Sequence, residues 1–206
     1  MRENYSRVLG KYITPQAVDV IVNWIIEYGV HLKITSERST KLGDFRPNSR
    51  LSKGHRISVN YNLNQYAFLI TLVHEMAHLI TWNTYHDKVK PHGLEWKEKF
   101  REMLLPFLAM DIFPEDIAPA LIDYLNNPAA SSCSDMNLMR VLMHYDEDPK
   151  ILLEEIPVSS VFRLPTGRVF KKGDQRRKYF QCLEVSTGKI YLINPLAEVE
   201  PVSAEG

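Results

Sequence analysis

The sequence predicts an α+β protein: a mainly helical domain carrying a small antiparallel sheet, followed by a small β-rich appendage. Three observations predict it. Residues 63 to 84 are almost wholly apolar and end at turn-forming residues, the pattern of a long buried helix. Two short alternating runs, "VHLKIT" and "RISVNYN", precede that helix and read as strands. From Ile156 onward the chain changes to short alternating runs separated by Pro-Thr-Gly, Lys-Gly-Asp and Thr-Gly-Lys, which are turn signals between strands.

Taken in order, "TPQAVDVIVNWIIEYG" opens with Thr14 as cap and Pro15 at the first helical position, and stops at Gly29. Val18, Ile21, Val22 and Ile25 share one face, so this helix packs on a core. Between the two strands, "KLGDFRPNSRLSKG" is turn-rich and leaves room for a short third strand around Leu42 to Phe45. "YHDKVKPHG" ends the long helix with Pro91 and Gly93, and "LEWKEKFREMLLPFL" begins the next. "PEDIAPALIDYL" follows as a helix with Pro119 near its first turn, then the loop "NNPAASSCSD" and the short helix "MNLMRVLMHYD". The expected division is a domain over 1–125, a linker with a short helix over 126–155, and the β-rich appendage over 156–206.

At 206 residues and 45% hydrophobic, the chain is long and apolar enough to bury a sizeable core. Its two cysteines, Cys133 and Cys182, are too few for a disulfide framework or a four-cysteine zinc site, and read as free thiols. The N-terminus lacks signal-peptide organisation, since Asp19 and Asn23 interrupt its apolar stretch. No segment reaches the roughly 20 clean apolar residues needed to cross a bilayer. The expectation is a cytoplasmic protein without a membrane partner.

Charge is zero in sum but segregated. From Lys33 to Arg56 there are seven Lys/Arg against two acids, and from Asp111 to Glu155 ten acids against two bases. Residues 162 to 180 carry seven bases against one acid. Such segregation permits local basic surfaces on a neutral protein.

The chemistry sits in "LVHEMAHLITW", residues 72 to 82. His74 and His78 lie one turn apart on one helical face, which they share with Ala67, Thr71 and Thr81. Leu69, Leu72, Val73, Met76 and Ile80 take the opposite face, so one side goes to a core and the other to a site. Glu75 is the only charged residue between Tyr66 and Trp82. A buried carboxylate and two buried imidazoles are costly unless something compensates them, and a divalent metal compensates all three. The histidines ligate through nitrogen, and the glutamate beside them deprotonates the metal-bound water: this is the HExxH arrangement of zinc hydrolases.

A catalytic zinc takes a third protein ligand and keeps one position open. The metzincin spacing requires a histidine at 84, where Thr84 stands. The remaining candidates are His86, just past the helix end, Glu95 on the following helix, and His92. His92 directly precedes Gly93, where a flexible glycine favours close approach to the first helix.

"LVHEMAHLITW" followed by "PHGLEWKEKF" resembles the SprT-like (Spartan) metalloprotease domain, with its HExxH helix and later HG-x-x-[FW] element. "TKLGDFRP" and "RISVNYNL" look like that family's strand pair ahead of the zinc helix, and the resemblance covers roughly residues 12 to 110. It implies a zincin-like fold, one Zn2+ per chain held by His74, His78 and His92, and Glu75 as general base. It also implies proteolysis of proteins bound or crosslinked to DNA, with DNA as activator, and hence a place in DNA repair at the nucleoid. Many members end in a four-cysteine zinc ribbon. Here the ribbon-like turns remain, but Val185 stands where a partner of Cys182 belongs, so no second zinc is expected. Packing of Phe162, Phe170, Tyr179, Phe180 and Tyr191 is left to hold that segment.

Two basic stretches are candidate nucleic-acid contacts. Arg163, Arg168, Lys171, Lys172, Arg176, Arg177 and Lys178 interleave with aromatics, a composition that suits a phosphate backbone and stacked bases. The alternative is a solvated β-ribbon whose aromatics form their own core. The 33–56 stretch precedes the zinc helix and is the second candidate. Trp82 and Trp96 are expected to pack the two site helices together. Two other functions remain open: a nucleic-acid-binding module with a structural or inactive zinc site, and a zinc peptidase unrelated to DNA.

Overall fold

The computed structural model describes residues 1–38, 41–48, 54–128 and 135–202. They form two compact units, Met1–Glu147 and Asp148–Gly206. The first is helical with a three-stranded sheet and the second is an antiparallel sheet, so the protein is α+β with a β-rich C-terminal part.

Helix α1 (Arg2–Leu9) is short and mostly polar, with Tyr5, Val8 and Leu9 on one face, and is not among the elements expected from the sequence. It forms because Leu9 is buried and the Arg2 guanidinium reaches Asn23 (2.7 Å) and Asp19 (3.5 Å) on α2 (Pro15–Glu27). In α2, Ala17, Ile21, Val22 and Ile25 make the buried stripe, and Gly29 closes the turn with φ +59°. Strands β1 (Val30–Thr35), β2 (Gly43–Arg46) and β3 (His55–Asn60) follow, in the sheet order β1-β3-β2.

The sheet is mixed rather than antiparallel. β1 runs parallel to β3, with Val30 opposite His55, while β2 pairs antiparallel with β3, with Phe45 opposite Ile57. After β1 the chain passes over the place β3 will take, lays down β2 on the far side, and returns between them. Buried Asn60 pins that passage: its Nδ2 donates to the Arg38 and Lys41 carbonyls, and its backbone N–H donates to the Leu42 carbonyl (2.9 Å).

The long helix α3 (Gln65–Tyr85) starts where Asn64 accepts from the N–H groups of Tyr66 and Ala67. The same Asn64 donates from Nδ2 to the Leu142 carbonyl and to Asp146, tying α3 to the end of α6 (Met136–Met143). Leu138 and Leu142 of α6 join the main core. The helix expected inside a linker is therefore built into the first unit, which reaches Glu147 rather than residue 125.

Helix α4 (Leu94–Ala109) buries Trp96, Phe100, Met103, Leu104 and Phe107, a helical stripe laid against α3. Helix α5 (Ile117–Asn126) buries Ile117, Ala120, Leu121, Tyr124 and Leu125. With α4 on one side and β2 on another, α3 is buried from Ala67 to Ala77 on every face. On the imidazole side His74 is buried while His78 is half-buried.

The second unit is a five-stranded antiparallel sheet in the order β7-β6-β5-β4-β8. Its strands are β4 (Val161–Arg163), β5 (Val169–Arg176), β6 (Tyr179–Glu184), β7 (Ile190–Ile193) and β8 (Glu200–Pro201). Phe162, Phe170, Phe180 and Cys182 fill its core with Leu153, Ile156 and Val199. Tyr191 packs beside them, whereas Tyr179, expected there, lies exposed. No described helix is long and apolar enough to cross a membrane.

Candidate metal centre

One helical turn separates His74 from His78 on α3, and their Nε2 atoms meet at 3.2 Å. His92 comes in from the turn before α4, with its Nε2 3.3 Å from that of His74. Among the described residues these three form the one group of His, Cys, Asp or Glu atoms close enough to share a metal ion, all within 4.8 Å of one another. Zinc–nitrogen bonds of about 2.0–2.1 Å in a tetrahedron put neighbouring ligand atoms about 3.3 Å apart, so the donor set fits zinc in type, number and spacing. Three protein ligands are the complement of a catalytic rather than a closed structural site.

His86 and Glu95 stand outside this group. His86 ends α3 with φ +55°, exposed, its ring against Trp82. Glu95 lies in the first turn of α4 beside Gly93. The glycine serves its own turn rather than an approach to α3. Its N–H donates to the Lys90 carbonyl (2.9 Å), and an added Cβ would come within 3.1 Å of that oxygen and of Glu95 Oε2.

Trp96 does more than join two helices. Fully buried, its ring lies 4.6 Å from His74, 5.2 Å from His78 and 4.8 Å from His92, and stacks on Phe100 at 5.1 Å. It is the apolar floor of the three imidazoles and fixes their planes by packing. Trp82 contacts His86 instead. His74 Nδ1 and Trp96 Nε1 are buried without a protein hydrogen-bond partner.

Burial sets the protonation states. It drives His74 down to about 2 and His78 to about 3, with the neighbouring imidazoles adding to the effect, and lowers His92 as well. All three are neutral near pH 7, the form that binds metal. Glu75 moves the other way, up to about 8, by burial and then by Asp44, opposed by Arg38, Lys41 and a backbone hydrogen bond from Phe45.

Sequence reasoning missed what holds Glu75. Gly43 and Phe45 on β2 face it, and at Gly43 the backbone passes too close for any side chain. The available signal was a lone glycine inside a strand pattern, which marks close backbone approach.

The C-terminal basic residues separate on inspection. Lys172 is a correction: it is 3% exposed, its Nζ donates to the Ile156 carbonyl (2.6 Å) and sits 4.0 Å over the Phe180 ring, so it is a core residue. Arg168 pairs with Glu184 (2.7 Å) and covers Phe170 and Tyr191. Phe162, Phe170 and Phe180 are buried and offer no stacking platform. Arg163, Lys171, Arg176, Arg177 and Lys178 are exposed.

In the first unit, the sheet face turned away from α3 carries a cavity of about 410 Å3 lined by His31, Lys33, Arg38, Asp44, Arg46 and Arg56 among others. Asp44 is held by Lys41 and Arg46, while Lys33 and Arg56 have no ion-pair partner among the described residues. Arg50, Lys53 and Cys133 lie outside the described residues.

Residues 16–107 match the model of the SprT-like family. No curated protein and no solved structure matches the chain. Residues 16–107 are thus similar to the SprT-like family, a metalloprotease-type family associated with zinc metallopeptidase activity.

Proposed function

We propose that this SprT-like domain is a zinc-dependent metalloendopeptidase in which His74, His78 and His92 hold the metal and Glu75 is the general base. The convergence of three neutral imidazoles, with the His78 and His92 nitrogens 3.2 and 3.3 Å from that of His74, and a carboxyl on the adjacent residue of the same helix, carries the reading. Bound zinc supplies a Lewis acid that polarises a scissile carbonyl and acidifies a water molecule. With a dication beside it favouring the ionised carboxylate, Glu75 would accept a proton from water and return it to the leaving amine. The Phe45 N–H orients the carboxyl, and the Trp96 floor keeps bulk water from the imidazoles. Strand β2, an edge among the described residues, lies beside Glu75 and suits an extended peptide added by backbone pairing.

Substrates in this reading are proteins on DNA, in the cytoplasm or at the nucleoid. The cavity on the outer sheet face supports the DNA association, because Lys33 and Arg56 have no ion-pair partner among the described residues and line a concave basic surface. Glu75→Gln tests the enzyme claim. Turnover of a labelled unstructured protein should vanish while zinc content and fold persist; unchanged function would leave a binding module with a structural zinc. Lys33→Ala/Arg56→Ala tests the partner. The salt slope for a single-stranded oligonucleotide should fall by about 1.4, from about 0.7 per phosphate contact. Activity and binding indifferent to oligonucleotide at low and high salt would make this a zinc peptidase unrelated to DNA.

A further inference from the structure

Strand β2 and helix α3 approach most tightly at Gly43 and Glu75. A Cβ built on Gly43 would lie 2.5 Å from Glu75 Oε1, 2.8 Å from Cγ and 2.9 Å from Cδ, closer than real Cβ atoms come to any neighbour. The φ of Gly43 lies outside the left-handed region, so other residues tolerate its backbone. The glycine is needed for room alone. Two residues along the strand, the backbone at Phe45 favours the ionised form of the Glu75 carboxyl. The strand therefore bounds the side chain closely, with a bare backbone at 43.

That strand is itself held. The Asn60 backbone N–H donates to the Leu42 carbonyl, immediately before Gly43, and the Asn60 side chain ties down the Arg38 and Lys41 carbonyls. Arg38 returns a bond from Nε to Asn60 Oδ1 (2.8 Å). The edge strand has little freedom to retreat from α3, so a side chain at 43 must displace Glu75.

We infer that Gly43 is a positioning residue for Glu75: its missing side chain lets β2 close on the carboxyl and set where its oxygens stand. The packing part of this inference stands alone, and its consequence for turnover rests on Glu75 being the general base. In the full chain, Gly43→Ala should keep one zinc and leave KM within about twofold. Its kcat should fall on the order of a hundredfold, as for a reacting group moved by about 1 Å. A stability cycle reads the packing directly. Gly43→Ala should lower the urea midpoint of the metal-free protein, and the drop should disappear when Glu75→Ala has removed the group it strikes. The cycle also holds where Gly43→Ala alone folds poorly, since the double variant regains the space. A drop of equal size in both backgrounds, an unchanged kcat, or zinc lost together with activity would each overturn the inference. A wild-type chain that cleaves nothing with zinc bound would refute the protease reading, while the cycle would still decide the role of Gly43.

Discussion

Glu75→Gln should stabilise the metal-free protein, and by an amount that depends on pH in a defined way. Folding lifts the Glu75 carboxyl from an ordinary 4.5 to about 8 because the side chain is almost wholly buried. A carboxyl raised in this way contributes its stability below pH 4.5 and loses it as pH rises through 8, because the unfolded chain ionises first. Each pH unit inside that window costs the fold about 1.4 kcal/mol, reaching about 3 kcal/mol by pH 7 and about 5 kcal/mol above pH 8. Glutamine keeps the shape and can still accept from the Phe45 N–H, but it cannot ionise. Urea unfolding of both proteins in chelator at pH 5, 6, 7 and 8 isolates the effect, since the histidines titrate alike in each. The difference should widen steadily with pH. Parallel stability curves would refute the placement of an ionisable carboxyl in this environment.

The opposite limb belongs to the histidines. His74 and His78 are lowered to about 2 and about 3, so their contribution to metal-free stability should be complete above pH 6.5 and be lost as pH drops toward 3; His78→Gln should make that acid limb shallower in the same urea series. Lys172→Ala removes a buried donor and should cost about 2 kcal/mol in denaturant titration without altering oligonucleotide affinity; an affinity loss like that of Lys33→Ala/Arg56→Ala would reinstate Lys172 as a contact. Trp96→Ala empties the floor of the site and should cost about 3–5 kcal/mol together with weaker zinc retention in competition with a chelator; loss of stability with zinc affinity intact would confine Trp96 to packing.

What could be read from the chain followed from period and spacing. The i, i+4 histidines on an apolar helix specify a shared face whatever surrounds them, and the Pro91–Gly93 break brings the chain back within reach of that face. Sheet topology was hidden because alternating runs carry no information on strand direction. Parallel β1 and β3 follow from where the loop fastened by Asn60 carries the chain, a long-range fact. Helix α1 was missed because its apolar face is only one turn long, Tyr5, Val8 and Leu9, within a mostly polar stretch. Lys172 misled because charge predicts exposure. A β-bulge between Lys172 and Gln175, with Gly173 against the Gln181 carbonyl, accompanies its burial instead, where it meets Phe180 and backbone carbonyls across from Cys182. The appendage thus places a lysine, a thiol and three phenylalanines in one small core.

The same accounting gives α3 its cost and its remedy. The buried atoms Thr71 Oγ1, His74 Nδ1, Thr81 Oγ1 and Trp96 Nε1 have no hydrogen-bond partner, and Glu75 and three imidazoles crowd the same stretch of core. Each such group opposes folding, and a dication held by the three imidazoles would turn the cost of burying them and Glu75 into attraction. Zinc that binds only the folded chain adds stability as RT ln(1 + [Zn]/Kd), about 2.7 kcal/mol at a hundredfold excess over Kd. For a unit of this size that corresponds to roughly 5–10 °C in Tm. The gain should be absent in His92→Ala, which removes one of three ligands and leaves α3 intact. Equal Tm with and without zinc in the wild-type chain would mean that Glu75 and the three imidazoles are tolerated there for some reason other than a metal, and the catalytic reading of α3 would fall with it.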